Sequence, residues 1–175
     1  MSEQLVVTSI GTNRRGMVNE ITSLAAANDL NILYSRMAIM GNEFTYVMLV
    51  EGSNLKINRF ESAFINLCAR IDLMSVVKRT SGHRKQQIEQ ECGKLIYQTK
   101  DQTGLLSKFT QFFAAQGLSL ANLRCEGVPE DAGEDGQAVT EITFRKPKSD
   151  WDVNAFTSDL QALLDELKIE GQIEL

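Results

Sequence analysis

The sequence predicts an α+β protein made of two copies of one βαββαβ unit, and three observations lead to this prediction. A segment that closes an apolar run and opens an amphipathic one occurs at residues 13–21 and again, 88 residues later, at 101–109. Strand-like and helix-like hydrophobic periodicities follow one another in the same order in each half. A polar, basic stretch separates the halves. We therefore expect domains over residues 1–82 and 92–175, joined by a linker over 83–91.

The first half begins with a buried strand and an amphipathic helix. Residues 3–10 are rich in β-branched and aliphatic side chains and end at Gly11, which predicts a strand. Apolar residues then recur at helical spacing over residues 17–27, and Asn28-Asp29 supplies a stop signal. The helix is therefore expected to begin near Gly16.

A hairpin, a second helix and a closing strand complete the first half. Alternation over residues 30–40 and the turn Gly41-Asn42 predict a hairpin whose next strand covers 44–50. Helical spacing runs over 57–71, before a strand over 73–78. This order is that of the ferredoxin-like fold, an antiparallel four-stranded sheet with two helices on one face.

The second half repeats the order, with strands over 94–100, 118–126 and 169–175 and helices over 105–116 and 153–167. The 88-residue offset holds into the second strand, where Leu30-Asn31-Ile32 matches Leu118-Ser119-Leu120. The offset becomes 96 in the last helix, where Ile57-Asn58 matches Val153-Asn154. The repeat therefore predicts one fold for both halves.

The copies differ most in the hairpin. In the second half an acidic segment, residues 127–137, takes the place of the two-residue turn Gly41-Asn42 of the first half. An insert with this content of Gly, Pro and acidic residues is typical of a solvated loop. The alternative is a loop that docks a partner, since a longer hairpin in one copy makes two similar domains behave differently.

The composition restricts the function classes. Of 175 residues, 43% are hydrophobic and 23% charged, as in globular proteins. No apolar run approaches the roughly 20 residues that span a bilayer, and the first residues do not have the pattern of a signal peptide. We therefore expect a cytoplasmic protein that binds no membrane.

The charge argues against direct binding of nucleic acid, because such binding relies on Lys and Arg that neutralise phosphates and the net charge is -5. Residues 1–86 hold 10 basic against 7 acidic side chains, and residues 87–175 hold 8 against 16. This polarity would orient the halves on each other or on a basic partner, although unselected surface charge explains it equally well.

The sequence offers no catalytic set. The single histidine, His83, lies in the predicted linker, and a general base needs an oriented partner and a pocket. The odd number of cysteines, Cys68, Cys92 and Cys125, disfavours a disulfide framework and predicts reduced core or half-core thiols. We therefore expect a protein without enzyme activity, cofactor or metal.

The duplicated turn favours binding of a small anion. Gly16 and Gly104 let the backbone approach a ligand, and the unpaired amides of the first helical turn favour a carboxylate. Each charge-assisted hydrogen bond contributes about 1.5 to 3 kcal/mol, so a few of them give affinity near the millimolar range, about 4 kcal/mol. As an alternative, Asn13 and Asp101 act only as helix caps or turn residues.

Each half resembles the ACT domain, a regulatory module that binds amino acids. The resemblance rests on the turn Asn/Asp-x-x-Gly-hydrophobic and on the helix after it, which ends before Asn/Gly-hydrophobic-Asn/Ser-Ile/Leu. The resemblance covers both halves of the chain. A pair of such domains without a catalytic or DNA-binding domain is similar to a family of repressors of the glycine cleavage operon. This resemblance implies a transcriptional repressor that contacts a DNA-binding regulator and is relieved by glycine.

The resemblance also implies a ligand between paired domains, with the turn of one facing the second strand of the other. The implied ligand-binding residues are Asn13, Arg14, Arg15, Gly16, Met17, Asn31, Ile32, Asp101, Gln102, Thr103, Gly104, Leu105, Ser119 and Leu120. The family's proline is replaced by Arg15 and Thr103, and its acid by Asn13, whereas Asp101 keeps the acid. We therefore expect unequal roles, one copy holding ligand and the other the partner.

Two alternatives to a glycine-responsive repressor stay open, a non-catalytic interaction scaffold and a sensor of a different amino acid. Four-stranded units of this kind expose sheet edges, so a homodimer is also compatible with the sequence.

Overall fold

The computed structural model describes residues 2–80, 92–100, 103–127, 137–146 and 151–175. The chain divides into two compact units, residues 1–84 and 85–175. The predicted linker over 83–91, with His83, lies outside the described residues, as do residues 128–136 of the acidic insert.

Within the described residues, each unit contains four strands and two helices. The first consists of β1 (Ser2–Thr12), α1 (Met17–Ala27), β2 (Asn31–Met40), β3 (Glu43–Ser53), α2 (Asn54–Arg70) and β4 (Met74–Thr80). The second consists of β5 (Cys92–Lys100), α3 (Leu105–Ala115), β6 (Ser119–Gly127), β7 (Gln137–Arg145), α4 (Val153–Leu167) and β8 (Gly171–Glu174).

The sheets have equivalent topologies. The strand orders are β2-β3-β1-β4 and β6-β7-β5-β8, and every paired strand is antiparallel. The predicted α+β class, with two tandem ferredoxin-like βαββαβ units, is confirmed. Even the irregularity of the second strand is duplicated, because the register shifts between Ile32 and Tyr34 and between Leu120 and Asn122.

All four helices end in the same way. A residue with positive φ, such as Asp72 at 57° or Lys168 at 56°, follows the last turn, and the next residue is a buried aliphatic side chain. The amide of Leu73 donates to the carbonyl of Cys68 at 2.8 Å, and that of Ile169 donates to Leu164 at 2.9 Å. This is the Schellman arrangement, in which a hydrophobic contact secures the helix end.

The way α4 ends makes the last strand shorter than predicted. The sequence pattern predicts a strand over 169–175, but β8 begins at Gly171 because Ile169 completes the helix-ending motif and is buried in the core. At the other end of the chain, β1 continues past Gly11 to Thr12, since its pairing with β3 extends to Glu43.

Each unit has its own core between one sheet face and its two helices. In the first unit Leu5 and Val7 of β1 meet Ile21, Phe60 and Phe64. In the second, aromatic rings dominate: Tyr97 stacks on Phe109 at 4.5 Å, and Phe113, Phe144, Phe156 and Trp151 form a connected ring cluster. Both cores use the periodic positions that the sequence identified.

The two described cysteine side chains differ. Cys68 is free and fully buried, as predicted. Cys125 is free but exposed on the edge strand β6, so the prediction of a core or half-core thiol is wrong for Cys125. Burial raises the pKa of the Cys68 thiol, and a hydrogen bond with Ser75 opposes that shift. Burial and a raised pKa both suppress the reactive thiolate.

A thiol-modification experiment checks this difference. In the folded protein near pH 8, Cys125 is expected to react with a maleimide about a hundredfold or more faster than Cys68, because Cys68 reacts only through opening of the core. Peptide mapping by mass spectrometry separates the two sites. Equal rates before unfolding would contradict the burial of Cys68, and equal rates in denaturant provide the control.

Candidate functional site

The two duplicated glycines begin α1 and α3. Gly16 has φ 91° and Gly104 has φ 86°, the left-handed region that favours glycine. The carbonyl of Gly16 accepts the first helical hydrogen bond from Glu20 at 2.9 Å, and that of Gly104 accepts from Lys108 at 3.2 Å. Neither helix has a side-chain cap, in contrast to α4, where Asp152 accepts from Asn154 and Ala155.

Asn13 therefore does not cap α1, and the capping interpretation is wrong for this residue. The helix begins three residues later, and the amide of Asn13 donates to the carbonyl of Asn42 at 2.9 Å in the β2–β3 hairpin. The turn is thus tied to the sheet, and no side-chain cap of α1 is present among the described residues. Asp101 and Gln102 lie outside the described residues.

A charged recess lies beside the entrance to α1. It has a volume of about 490 Å³ and is lined by Thr12, Arg14, Glu20, Arg70, Ile71 and Asp72. Arg14 pairs with Glu20 at 3.3 Å, and the end of α2 contributes Arg70 and Asp72. Two cations and two carboxylates around one hollow match the charges of a free amino acid, which carries an ammonium and a carboxylate group.

The recess exists because the α2–β4 turn approaches the backbone of β1 at Gly11. A Cβ atom on Gly11 would lie 2.7 Å from Cδ2 of Leu73 and 2.8 Å from the carbonyl oxygen of Asp72. The equivalent position in the second unit is Thr99, 88 residues later. The absence of a side chain at Gly11 thus permits this close approach in the first unit.

The implied ligand-binding residues do not form one cluster within a unit. Asn31 is level with Gln4 in the sheet, because both pair with Glu51, whereas the turn follows Thr12 at the other end of β1. Eight residues of strand correspond to roughly 26 Å. Arg14, Arg15, Ile32, Thr103, Ser119 and Leu120 are exposed.

Two implied ligand residues are core residues. Met17 and Leu105 are buried and belong to the cores of their units, so only their backbone amides are available to a ligand. Conversely, sequence analysis missed Arg70 and Asp72. A usable signal was present, since a βαββαβ topology places the end of α2 at the same end of the sheet as the turn after β1.

The charges around the recess reverse in the second unit. Offsets of 88 residues for α1 and 96 for the end of α2 are supported by the matching helix ends. At these offsets Glu20 corresponds to Lys108, Arg70 to Glu166 and Asp72 to Lys168. The starts of α1 and α3 therefore have the same backbone conformation but are surrounded by side chains of opposite charge.

Comparison with known proteins places this geometry in a family. A family model for the ACT domain matches residues 3–78. The glycine cleavage system transcriptional repressor of Escherichia coli (strain K12) is 32% identical over 171 residues, which cover 98% of this chain and 89% of the relative. The chain belongs to the family of these ACT-domain repressors.

Solved structures agree with this assignment. A crystal structure assigned to a glycine cleavage system transcriptional repressor is 30% identical, covers 99% of this chain and 97% of its own, and superposes with a TM-score of 0.73. A protein from Galdieria sulphuraria covers 99% and 98% with a TM-score of 0.78, and its 19% identity shows the fold alone. The tandem ACT arrangement is thus shared across the full chain.

The relatives compared above at 30% identity or more are named as transcriptional repressors. Within the described ranges of this chain, no three or more His, Cys, Asp or Glu side chains are grouped to hold a metal ion. None of the described helices combines the length and apolar composition needed to cross a membrane.

Substitution at Gly11 tests the close approach that shapes the recess. Gly11→Ala is expected to lower the free energy of unfolding by about 1 to 3 kcal/mol, because the new methyl group overpacks against Leu73 and the Asp72 carbonyl. Urea denaturation measures the change. Gly127→Ala, whose Cβ would have no neighbour within 4 Å, is the control and is expected to change stability by less than about 0.5 kcal/mol. Equal effects of the two substitutions would contradict the close approach.

Proposed function

We propose that this chain is an amino-acid-responsive transcriptional repressor of the glycine cleavage system that acts by contact with a DNA-binding regulator and is relieved by glycine. Membership of the repressor family supports the regulatory role. The observation that supports a ligand is the recess beside the start of α1, which is lined by Thr12, Arg14, Glu20, Arg70, Ile71 and Asp72.

The first step of the proposal is recognition of the ligand's two charges. The carboxylate lies at the first turn of α1, where backbone amides and the helix dipole favour an anion, with Arg70 and Arg14 as cationic neighbours. The ammonium group faces Asp72 and Glu20. Because Arg14 already pairs with Glu20, the ligand exchanges one exposed ion pair for two contacts of its own.

In the second step, the charged contacts available in the recess set the expected affinity for the ligand. Exposed ion pairs contribute only about 0.2 to 1 kcal/mol each, and hydrogen bonds to charged groups about 1.5 to 3 kcal/mol. Their sum corresponds to a dissociation constant near millimolar, typical of a sensor for an abundant metabolite. Five of the six lining residues, all except Ile71, carry a polar or charged group that can contact the ammonium and carboxylate of the ligand. The choice of glycine rests on membership of the repressor family.

The other residues that the family resemblance implies as ligand contacts do not line the recess, and the two units are proposed to have different roles. The first unit holds the ligand in this proposal. Asn31 and Ile32, together with Ser119 and Leu120 of the second unit, are proposed to face a ligand across paired domains, with Asp101, Gln102, Thr103 and Gly104 at the second turn. Paired domains within one chain or in a homodimer would provide that arrangement.

The third step transmits ligand binding to transcription. Glycine relieves repression only to the extent that it binds one arrangement of the protein more tightly than another. The DNA-binding regulator recognises the arrangement that lacks ligand. With a net charge of -5, the chain is proposed to act in the cytoplasm through this regulator and without its own contact to nucleic acid.

A titration with a charge-reversal variant tests the ligand site. Two-dimensional NMR spectra of the full chain are expected to shift and saturate at millimolar glycine. Arg70→Glu, which installs the residue of the second unit, is expected to weaken binding about tenfold or more, since a charge-assisted contact is lost. Arg59→Glu, an exposed change of the same charge on the same helix, is the control and is expected to retain binding.

The outcome separates three possibilities. Equal weakening by Arg70→Glu and Arg59→Glu would show a general charge effect and contradict the recess. Saturation by another amino acid but not by glycine would assign a different ligand. No binding of any common amino acid up to tens of millimolar, with or without the regulator, would leave an interaction scaffold and overturn the sensing function.

A further inference from the structure

The first unit carries an apolar sheet surface on the side opposite its helices. We define the open face as the side chains of the first sheet that point away from α1 and α2. Pairing brings Met74, Val76, Val6, Ile10, Val47 and Tyr34 onto this face, together with Leu49, which is only 6% exposed. Met74 is 70% exposed, Val76 67% and Tyr34 51%. Antiparallel sheets with one solvated face usually carry polar residues there, so this pattern requires an explanation.

The second unit provides an internal control. Sheet register gives equivalent positions at an offset of 88 residues for β1 and β2, 94 for β3 and 96 for β4. At these offsets seven apolar or aromatic residues of the first unit correspond to polar or charged residues of the second. The pairs are Val6 and Lys94, Ile10 and Gln98, Tyr34 and Asn122, Val47 and Glu141, Leu49 and Thr143, Met74 and Glu170, and Val76 and Gln172. At two positions the first unit has the polar residue and the second the apolar one: Thr8 corresponds to Ile96 and Thr45 to Val139.

The polar face of the second unit is compatible with the same fold. Lys94 and Glu141 form an ion pair at 3.3 Å across neighbouring strands. The fold therefore does not need aliphatic residues on this side of the sheet. The apolar residues of the first unit are explained by a surface that becomes covered.

The dimensions of the open face suit a protein interface. Its strands are 7 to 11 residues long, so four strands spaced about 4.8 Å apart, with about 3.3 Å per residue, give roughly 20 Å by 25 to 35 Å. Covering this area on two partners removes roughly 1,000 to 1,400 Å² from water, which reaches the size of a specific interface.

The rows of the face allow it to pack against a second copy of itself without like charges opposite one another. A two-fold axis parallel to the strands, between β1 and β3, places β2 of one copy over β4 of the other. Tyr34 then lies opposite Lys78 and Leu49 opposite Val6, because these four residues share one row of the sheet. Lys78 over the Tyr34 ring is a favourable cation–π pair.

The remaining charged residues of the face also avoid like charges in this arrangement. Arg36 lies opposite Val76, Glu51 opposite Gln4, and Glu43 opposite Thr12, by the same pairing. Aligned packing of two sheets, with a rotation of about 30°, keeps these rows close to one another.

We propose that the open face of the first unit is the contact surface between two copies of this chain, packed sheet against sheet. Each copy contributes the same residues, as an isologous interface requires. The contact uses neither sheet edge, and it reaches the charged recess only at Thr12, which lies opposite Glu43.

An exchange of residues between the units tests this interface. The variant Val6→Lys with Val76→Gln gives the first unit the residues that the second unit already carries. The variant Leu55→Gln with Ile65→Gln removes exposed apolar surface from α2 and is the control. Sedimentation of the full chain from about 1 to 100 µM measures the mass, and circular dichroism checks folding.

Wild-type chain is expected to sediment as a dimer or a multiple of it. The open-face variant is expected to have half that mass at about 10 µM, through a dissociation constant raised about tenfold or more, while the control keeps the wild-type mass. A wild-type monomer at 100 µM would assign the face to a different protein and overturn the proposal. An unchanged mass in the open-face variant would place the contact elsewhere, for example at a sheet edge, and also overturn it.

Cross-linking tests the geometry separately. In a background with Cys92→Ser and Cys125→Ser, chains with Tyr34→Cys are mixed with chains with Lys78→Cys and treated with a short bis-maleimide reagent. Covalent dimers are expected to form faster in the mixture than in either sample alone, because positions 34 and 78 face each other only across the two-fold axis. Equal rates in all three samples would contradict the arrangement.

Discussion

The candidate ligand site depends on the approach of the α2–β4 turn to the backbone of Gly11. A residue with any side chain at this position would collide with Leu73 and with the carbonyl of Asp72. The approach fixes the end of α2 beside the start of α1, and with it Arg70 and Asp72 beside Arg14 and the uncapped amides. The chemistry proposed for the recess thus depends on close packing at Gly11 and on the charges that surround the recess.

The duplication separates what the fold requires from what the function requires. Left-handed glycines at two helix entrances, Schellman ends on four helices and a shifted register in both second strands are common to the units. The units differ in the charges around the recess and in the polarity of the open face. Because the same backbone tolerates both versions, these differences are free to serve ligand binding and association.

The sequence predicts the elements well because their signals are local. Periodicity, glycine turns and the repeat itself identify the βαββαβ order, and the structure confirms it. The errors arise where tertiary packing decides. Ile169 joins the core instead of β8, Asn13 bonds the hairpin instead of capping α1, and Cys125 lies on an exposed edge. Arg70 and Asp72 are 56 or more residues from Arg14 in sequence, so only the folded topology brings them together.

The central claim is that the recess of the first unit holds a free amino acid. A crystal structure of the full chain grown with saturating glycine tests it most directly. The account predicts a ligand whose carboxylate lies at the first turn of α1 near Arg14 and Arg70, with its ammonium group toward Asp72 or Glu20. Glycine bound away from this recess, or a recess left unchanged at saturating glycine, would contradict it.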